Sequence, residues 1–233
     1  LDRLDEDGLA IKALYDIAPY AAASSNACDI TRLPVNPTSH IAHGWDICQP
    51  VMANGSEKDI NRLILDELQD GVSTIWLQGL QTADLAGHLP AMMQDVIFNA
   101  AGIHLDAGND AMAQIAAFAD FAKKADTNLA ASRFHANIDP FAPAADADLL
   151  ASAFAYFVSA DVGDVPPDMF RAQGWQWHNQ GMTAVQELAY ILASLTEILR
   201  QGMARDIDPA RLAQHMSASL ALPADLFDGI AKC

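Results

Sequence analysis

The side chains best suited to chemistry fall at the carboxyl ends of the predicted strands. Gln49, Gln78, Asp106 with Asn109, Asn137 with Asp139, and Gln176 with His178, Asn179 and Gln180 occupy such positions. In parallel α/β folds that end of the sheet is where ligands bind. His178, flanked by Trp175, Trp177 and Asn179, could present an imidazole as hydrogen-bond donor or general acid. Its competing reading is a histidine satisfied by backbone. Asp106, in LDAGND, either orients a substrate or caps the next helix, and capping is the stronger reading because short polar side chains favour helix starts. Asp139-Pro140 reads as turn chemistry. Cys48 is a lone thiol without an evident basic partner and reads as core rather than nucleophile.

Other chemistries are excluded by what the chain lacks. Seven histidines are scattered without HExxH or another close metal pair, so a metal site is not expected. GxGxxG, GxxxxGK[ST] and GxSxG are all absent from the sequence, which removes dinucleotide, P-loop and hydrolase-elbow readings. Thirty acidic residues against 13 basic ones give a formal charge of −17, which repels phosphate backbones and anionic lipid. No nucleic acid and no membrane are therefore expected as partners. Three cysteines, Cys28, Cys48 and Cys233, without a CxxC pair, suggest neither a disulfide framework nor a zinc cage and point to the cytoplasm. No apolar run approaches the roughly 18 residues of a membrane span. The polar opening LDRLDEDG carries no signal-peptide character and suggests a cut-down chain.

The elements that must position these groups alternate. Residues 1–44, interrupted by Ser, Asn and Pro, read as an extended lead-in, and one domain is expected over 45–233. Strands are predicted at Trp45–Gln49, Val72–Leu77, Ile103–Asp106, Asn128–Asn137 and Trp175–His178. Between them fall a helix opened by Ser56 and stopped at Gly71, a segment from Thr82 to Ala100 with Pro90 as a fresh helix start, and helices over Asp110–Ala125 and Asp146–Ser159. A long helix over Thr183–Met203 and another capped by Asp208-Pro209 follow. Strands separated by helices imply right-handed β-α-β units and a parallel sheet, doubly wound or closed, with a barrel favoured.

Two stretches resemble a known family. Trp175 to Arg200, WQWHNQGMTAVQELAYILASLTEILR, is similar to the YHxAGAxAVQELAYALA signature of the cobalamin-dependent methylmalonyl-CoA mutases, with TAVQELAY the specific part. Trp45 to Gln49 with NRLILDELQDGVSTIWL over Asn61–Leu77 resembles the family's first two barrel units, and LDEDGLAIKALYD its lead-in. The resemblance implies a TIM-type (β/α) barrel, here incomplete at about six of eight β/α units, with FDGIAKC at Phe227–Cys233 approaching the sixth strand. It also implies an acyl-CoA thioester inside the barrel and adenosylcobalamin between the barrel and a further domain bearing DxHxxG. This chain has no DxHxxG. The cobalamin-binding domain is therefore expected to be absent, with no cofactor bound by this chain alone and adenosylcobalamin in the complete complex.

The family holds catalytic chains and, in heterodimeric bacterial forms, supporting small chains. Where catalytic chains resemble TIRQYAG with an Arg and a Tyr, this chain has Cys48 and Pro50. Where they show GYHMQEAGA with a substrate-contacting His, alignment on Gly181 places Gln176, and His178 matches the small-chain histidine. ANIDPF around Asn137 also looks like the small-chain loop. Losing an oxyanion-type donor typically costs ~10²–10³ in rate. The resemblance thus implies a small-subunit-like component of a methylmalonyl-CoA mutase, structural rather than catalytic, whose partner is the large subunit or a second copy of itself. The pocket candidates are Gln49, Asp106, Gln176, His178 and Asn179, with acyl-CoA as a possible ligand. The alternatives are a catalytically competent mutase of shifted specificity and a stand-alone α/β-barrel small-molecule binding protein.

Overall fold

The computed structural model describes residues 46–80, 84–98, 100–130 and 132–224, with residue 229 and a few positions before residue 12. Two short strands near the start, β1 (Arg3–Leu4) and β2 (Ala10–Ile11), pair antiparallel. The rest of the predicted lead-in lies outside the described residues.

Six parallel strands follow in chain order: β3 (Cys48–Met52), β4 (Thr74–Gln78), β5 (Gly102–Leu105), β6 (Phe134–Ile138), β7 (Asp168–Gln173) and β8 (Met216–Ser219). Each pairs with the next, as in Trp76 against His104 and Gln173 against Ser219. Helices stand between them: α1 (Glu57–Gln69), α2 (Leu85–Met92), α3 (Ala111–Lys124), α4 (Leu149–Ser159), the short α5 (Gly174–His178), the long α6 (Ala184–Met203) and α7 (Pro209–Ala213). Neighbours in sequence that are neighbours in the sheet, each returning through a helix, give an α/β fold of the partial (β/α)-barrel kind.

Alternation explains the two faces. Ile75 and Leu77, Ile103 and Leu105, Phe134, Ala136 and Ile138, and Phe170 and Ala172 are all buried. They share the core with Ile60 and Ile64 of α1, Ile115 and Phe118 of α3, Phe154 and Phe157 of α4, and Ile198 of α6. The intervening positions carry Trp76, His104, His135, Arg171 and Gln173. One face is thus an apolar core and the other polar, as a period of two dictates.

Several expected boundaries change. Ser56 does cap α1, its side chain accepting from Asp59 N, and Thr183 opens α6 with a complete capping box to Gln186. Asp208 caps α7 by accepting from Ala210 N. The first strand is displaced to Cys48–Met52 and contains Pro50. Pro90 stands inside α2 instead of starting a helix. The fourth strand is confined to Phe134–Ile138. Trp175 to His178 is helix α5, and the strand is the preceding Asp168–Gln173. The alternating Trp175 and Trp177 imitate a strand, yet Asn179 N and Gln180 N close helical bonds onto Trp175 O and Trp177 O. Strand β8, with its weakly β-forming MSAS, was not anticipated. The predicted approach to a sixth strand, Phe227–Cys233, lies outside the described residues apart from 229. Among the described residues no helix is long and apolar enough to cross a membrane.

Candidate functional site

The polar face of the sheet is built from charge pairs that satisfy one another. His104 on β5 and His135 on β6 are register partners whose rings lie 4.1 Å apart. His135 Nδ1 is 2.7 Å from Asp168 Oδ2, and Arg171 Nη2 donates to the same oxygen at 3.1 Å. Arg171 also donates from Nε to Ser217 Oγ at 2.9 Å and approaches His104 Nδ1 through Nη1 at 3.2 Å. Asn137 Nδ2 reaches His104 Nδ1 at 3.3 Å and donates to Leu105 O at 2.9 Å. Two donors converge on His104 Nδ1, so that nitrogen is the unprotonated acceptor. Burial, then the neighbouring His135 and Arg171, push the His104 pKa down to about 2. It is a neutral imidazole. Burial alone would raise the Asp168 carboxyl, but the His135 hydrogen bond and the charges of His135 and Arg171 hold it below its ordinary value.

At the carboxyl end of β6 the backbone turns sharply. Asn137 adopts φ +55°, where the β6–β7 register shifts, a conformation Asn tolerates better than most residues. The turn delivers Asp139 to a buried position. Its Oδ1 accepts from Phe141 N at 3.0 Å and its Oδ2 from Gln173 N at 2.7 Å, while the Tyr190 hydroxyl donates to the carboxylate at 2.9 Å. Asp139 therefore performs the expected turn chemistry and in addition ties β6, β7 and α6 together. Burial raises its pKa despite these donors. Burial, followed by the Asp139 charge, raises Tyr190 to about 12. Gln173 completes the layer, donating from Nε2 to Asn137 O at 2.9 Å and accepting from Gln176 Nε2 at 2.9 Å.

Two adjoining cavities open here, sharing Asn137 and Gln173. The smaller, about 140 Å³, is lined by Asp106, Asp139 and Gln176 among others. The larger, about 330 Å³, takes at least one residue from each strand of the sheet: Cys48, Trp76, His104, Asn137, Arg171 and Ser219, with Trp175 as a further wall. Trp175 packs edge-on to Trp76 at 5.9 Å.

The sequence candidates disperse around this arrangement. Asp106 and Gln176 both line the smaller cavity, and burial raises the Asp106 carboxyl. Asp106 does not cap α3: residues 108–110 form a tight turn, and Asp110 precedes the helix without a side-chain cap bond. Gln49 is exposed on edge strand β3 and lines neither cavity. His178 turns away, its Nδ1 lying 3.4 Å from Oε2 of the fully buried Glu187, whose Oε1 accepts from Ala221 N. Asn179 is exposed at the end of α5. Cys48 is not core: it is an exposed free thiol, raised in pKa by desolvation against the pull of Arg171. The sequence reading missed His104, His135, Asp168, Arg171 and Tyr190. For His104, His135 and Arg171 the available signal was period two, which puts His104 on the face opposite Ile103 and Leu105; Asp168, three residues before Arg171, does not share its parity.

Comparison with known proteins agrees with this architecture. Residues 133–233, which contain β6 to β8, match the family model of methylmalonyl-CoA mutase. Over 251 aligned positions covering the whole chain, the sequence is 27% identical to the probable methylmalonyl-CoA mutase small subunits of Mycobacterium bovis and Mycobacterium tuberculosis. Over 97% of the chain it is 27% identical to the methylmalonyl-CoA mutase small subunit of Streptomyces virginiae. The chain is similar to the methylmalonyl-CoA mutase family over residues 133–233 and to small subunits of that name along its length. It spans 38% of the length of those relatives.

Cobalamin, which the likeness to the mutase family implies, finds no ligand set among the described residues. His88 is held by Glu57 at 2.6 Å, His215 by Pro166 O at 2.7 Å and His178 beside Glu187, while His104 and His135 pack on each other. No group of three or more His, Cys, Asp or Glu able to hold a metal ion occurs among the described residues. The polar face can orient a small ligand, but its one carboxylate–imidazole–guanidinium cluster is already closed on itself.

Proposed function

We propose that this chain is a small-subunit-like component of a methylmalonyl-CoA mutase, the isomerase complex interconverting methylmalonyl-CoA and succinyl-CoA. Its role is to pair with and stabilise a catalytic large subunit in the cytoplasm; adenosylcobalamin serves the complete complex and not this chain. The observation that carries the reading is the likeness to curated small subunits along the whole chain. The side chains support it. Cys48 and Pro50 stand where the catalytic pattern has Arg and Tyr. Gln176, at the position of the substrate-contacting His, is bonded to Gln173, and Arg171 is bound to Asp168, Ser217 and His104. Helix α6 also presents Val185, Leu188 and Leu192 to solvent, at 55%, 36% and 66% exposure. One turn apart, they form an apolar stripe suited to a partner.

Size-exclusion chromatography with light scattering on the full-length protein, alone and mixed with a catalytic large chain from the same source, tests this. A one-to-one complex whose turnover is unchanged by Gln176→Ala and His178→Gln is expected. Failure to associate, or cobalamin-dependent turnover without the large chain, overturns it.

A further inference from the structure

Three buried polar atoms on the inner face of the sheet have no hydrogen-bond partner among the described residues: Trp76 Nε1, Asn137 Oδ1 and Ser219 Oγ. All three residues line the same cavity of about 330 Å³. Buried polar groups are almost always paired, so three orphans around one space mark a place built to be filled. They come from β4, β6 and β8, alternate strands of the sheet, and in barrels of this kind alternate strands contribute side chains to a common layer. Asn137 is only 5% exposed, and its amide nitrogen is already committed to Leu105 O and His104. Only its carbonyl oxygen is left to accept.

Taken across the strands, the array reads donor, acceptor, donor: an indole N–H, an amide oxygen and a hydroxyl. Its complement is acceptor, donor, acceptor in one small rigid ring. The setting disfavours an anion, because Arg171 is held by Asp168, Ser217 and His104. The walls add apolar surface, with Trp76 and Trp175 packed edge to face on each other and Leu105 and Leu220 beside them. We propose that this cavity binds a small neutral cyclic imide, such as the edge of a pyrimidine-dione, its ring N–H donating to Asn137 Oδ1 and its two carbonyls accepting from Trp76 Nε1–H and Ser219 Oγ–H. This site is separate from subunit pairing and does not depend on it.

Titration calorimetry on the full-length protein with uracil, glutarimide and N-methylglutarimide tests the assignment. Uracil and glutarimide bind, and N-methylglutarimide, which lacks the central N–H, binds at least about tenfold more weakly. Trp76→Phe and Ser219→Ala, which keep ring and backbone, each weaken binding about 3- to 10-fold without altering the circular dichroism. Should Trp76→Phe fold poorly, Ser219→Ala alone carries the comparison. The proposal is overturned if neither imide binds, leaving a cavity filled by water only. It is equally overturned if the N-methyl probe binds as well as its parent, or if binding survives Ser219→Ala undiminished.

Discussion

The Tyr190 hydroxyl lies 2.9 Å from Oδ2 and 3.1 Å from Oδ1 of Asp139, donating to a buried carboxylate across 51 positions of sequence. Tyr190 sits in the TAVQELAY stretch that carries the family resemblance, and its ring also packs on Trp177 at 5.3 Å. The pair fastens α6 to the turn after β6. Tyr190→Phe keeps the ring and removes the donor, at an expected cost of about 1–3 kcal/mol. Burial raises the Asp139 pKa in the folded state, so this group's stabilising contribution is complete below its unfolded value near ~3.9 and is lost as pH rises through the folded value. Tyr190→Phe removes a donor that favours the charged form. Its deficit is therefore larger at pH 7 than at pH 4, which urea unfolding at the two pH values measures.

Asp168 behaves in the opposite sense. Its folded pKa is depressed, so its contribution is present above the unfolded value near ~3.9 and is lost as pH falls through the folded value. Asp168→Asn leaves His135 and Arg171 without their carboxylate and should lower stability by about 1–3 kcal/mol at neutral pH, discounted for partial exposure. The gap between variant and parent should close as the pH is taken below 4. A gap that stays constant throughout an acid titration followed by tryptophan fluorescence would remove this account of the cluster.

Thr183→Ala tests the start of α6. The capping box satisfies Gln186 N through the threonine hydroxyl and Thr183 N through Gln186 Oε1. Its loss should cost about 1 kcal/mol, seen as a lower thermal midpoint. Because no charge changes, the decrement should be the same at pH 5 and pH 8.

Gly202→Ala tests the packing of α6 on α7. A methyl group at Gly202 would come within 2.4 Å of Leu212 Cδ2 and 3.4 Å of Phe154 Cε1. Crowding of about 1–3 kcal/mol should outweigh the better helix propensity of alanine. Leu212→Val removes the clashing carbon. The double variant should then recover part of the stability lost by the single one in chemical denaturation.

What could be read in advance was local. Ser56, Asp208 and the span of α6 are set by neighbours within a turn, and the resemblance identified the barrel from residues close in sequence. What could not be read was long-range. Nothing near Asp139 indicates that Tyr190 will close on it, and the positive φ of Asn137 is imposed by its place at the strand end. Strand β7 hid because its polar-face residues are Arg171 and Gln173, which acquire meaning only once His104 of β5 and Asn137 of β6 come within reach. The aromatic alternation two residues later gave a false period over too few positions to separate strand from helix. His178 looked exposed to a ligand because Glu187, which takes it, lies on the next helix.

Edge strand β3 has one further property. Ala53 N bonds across to Gln78 O and Ile47 O accepts from Thr74 N, so odd-numbered residues of this strand turn their backbone toward β4 and even-numbered ones turn it outward. Pro50, at the middle of β3, therefore lies where an outward N–H would be, and it has none. Any chain segment that aligns along this side meets a ladder with a missing rung. Only partners whose carbonyl opposite Pro50 finds water or a side chain can seat there, which selects one register and hinders indiscriminate strand addition by other copies.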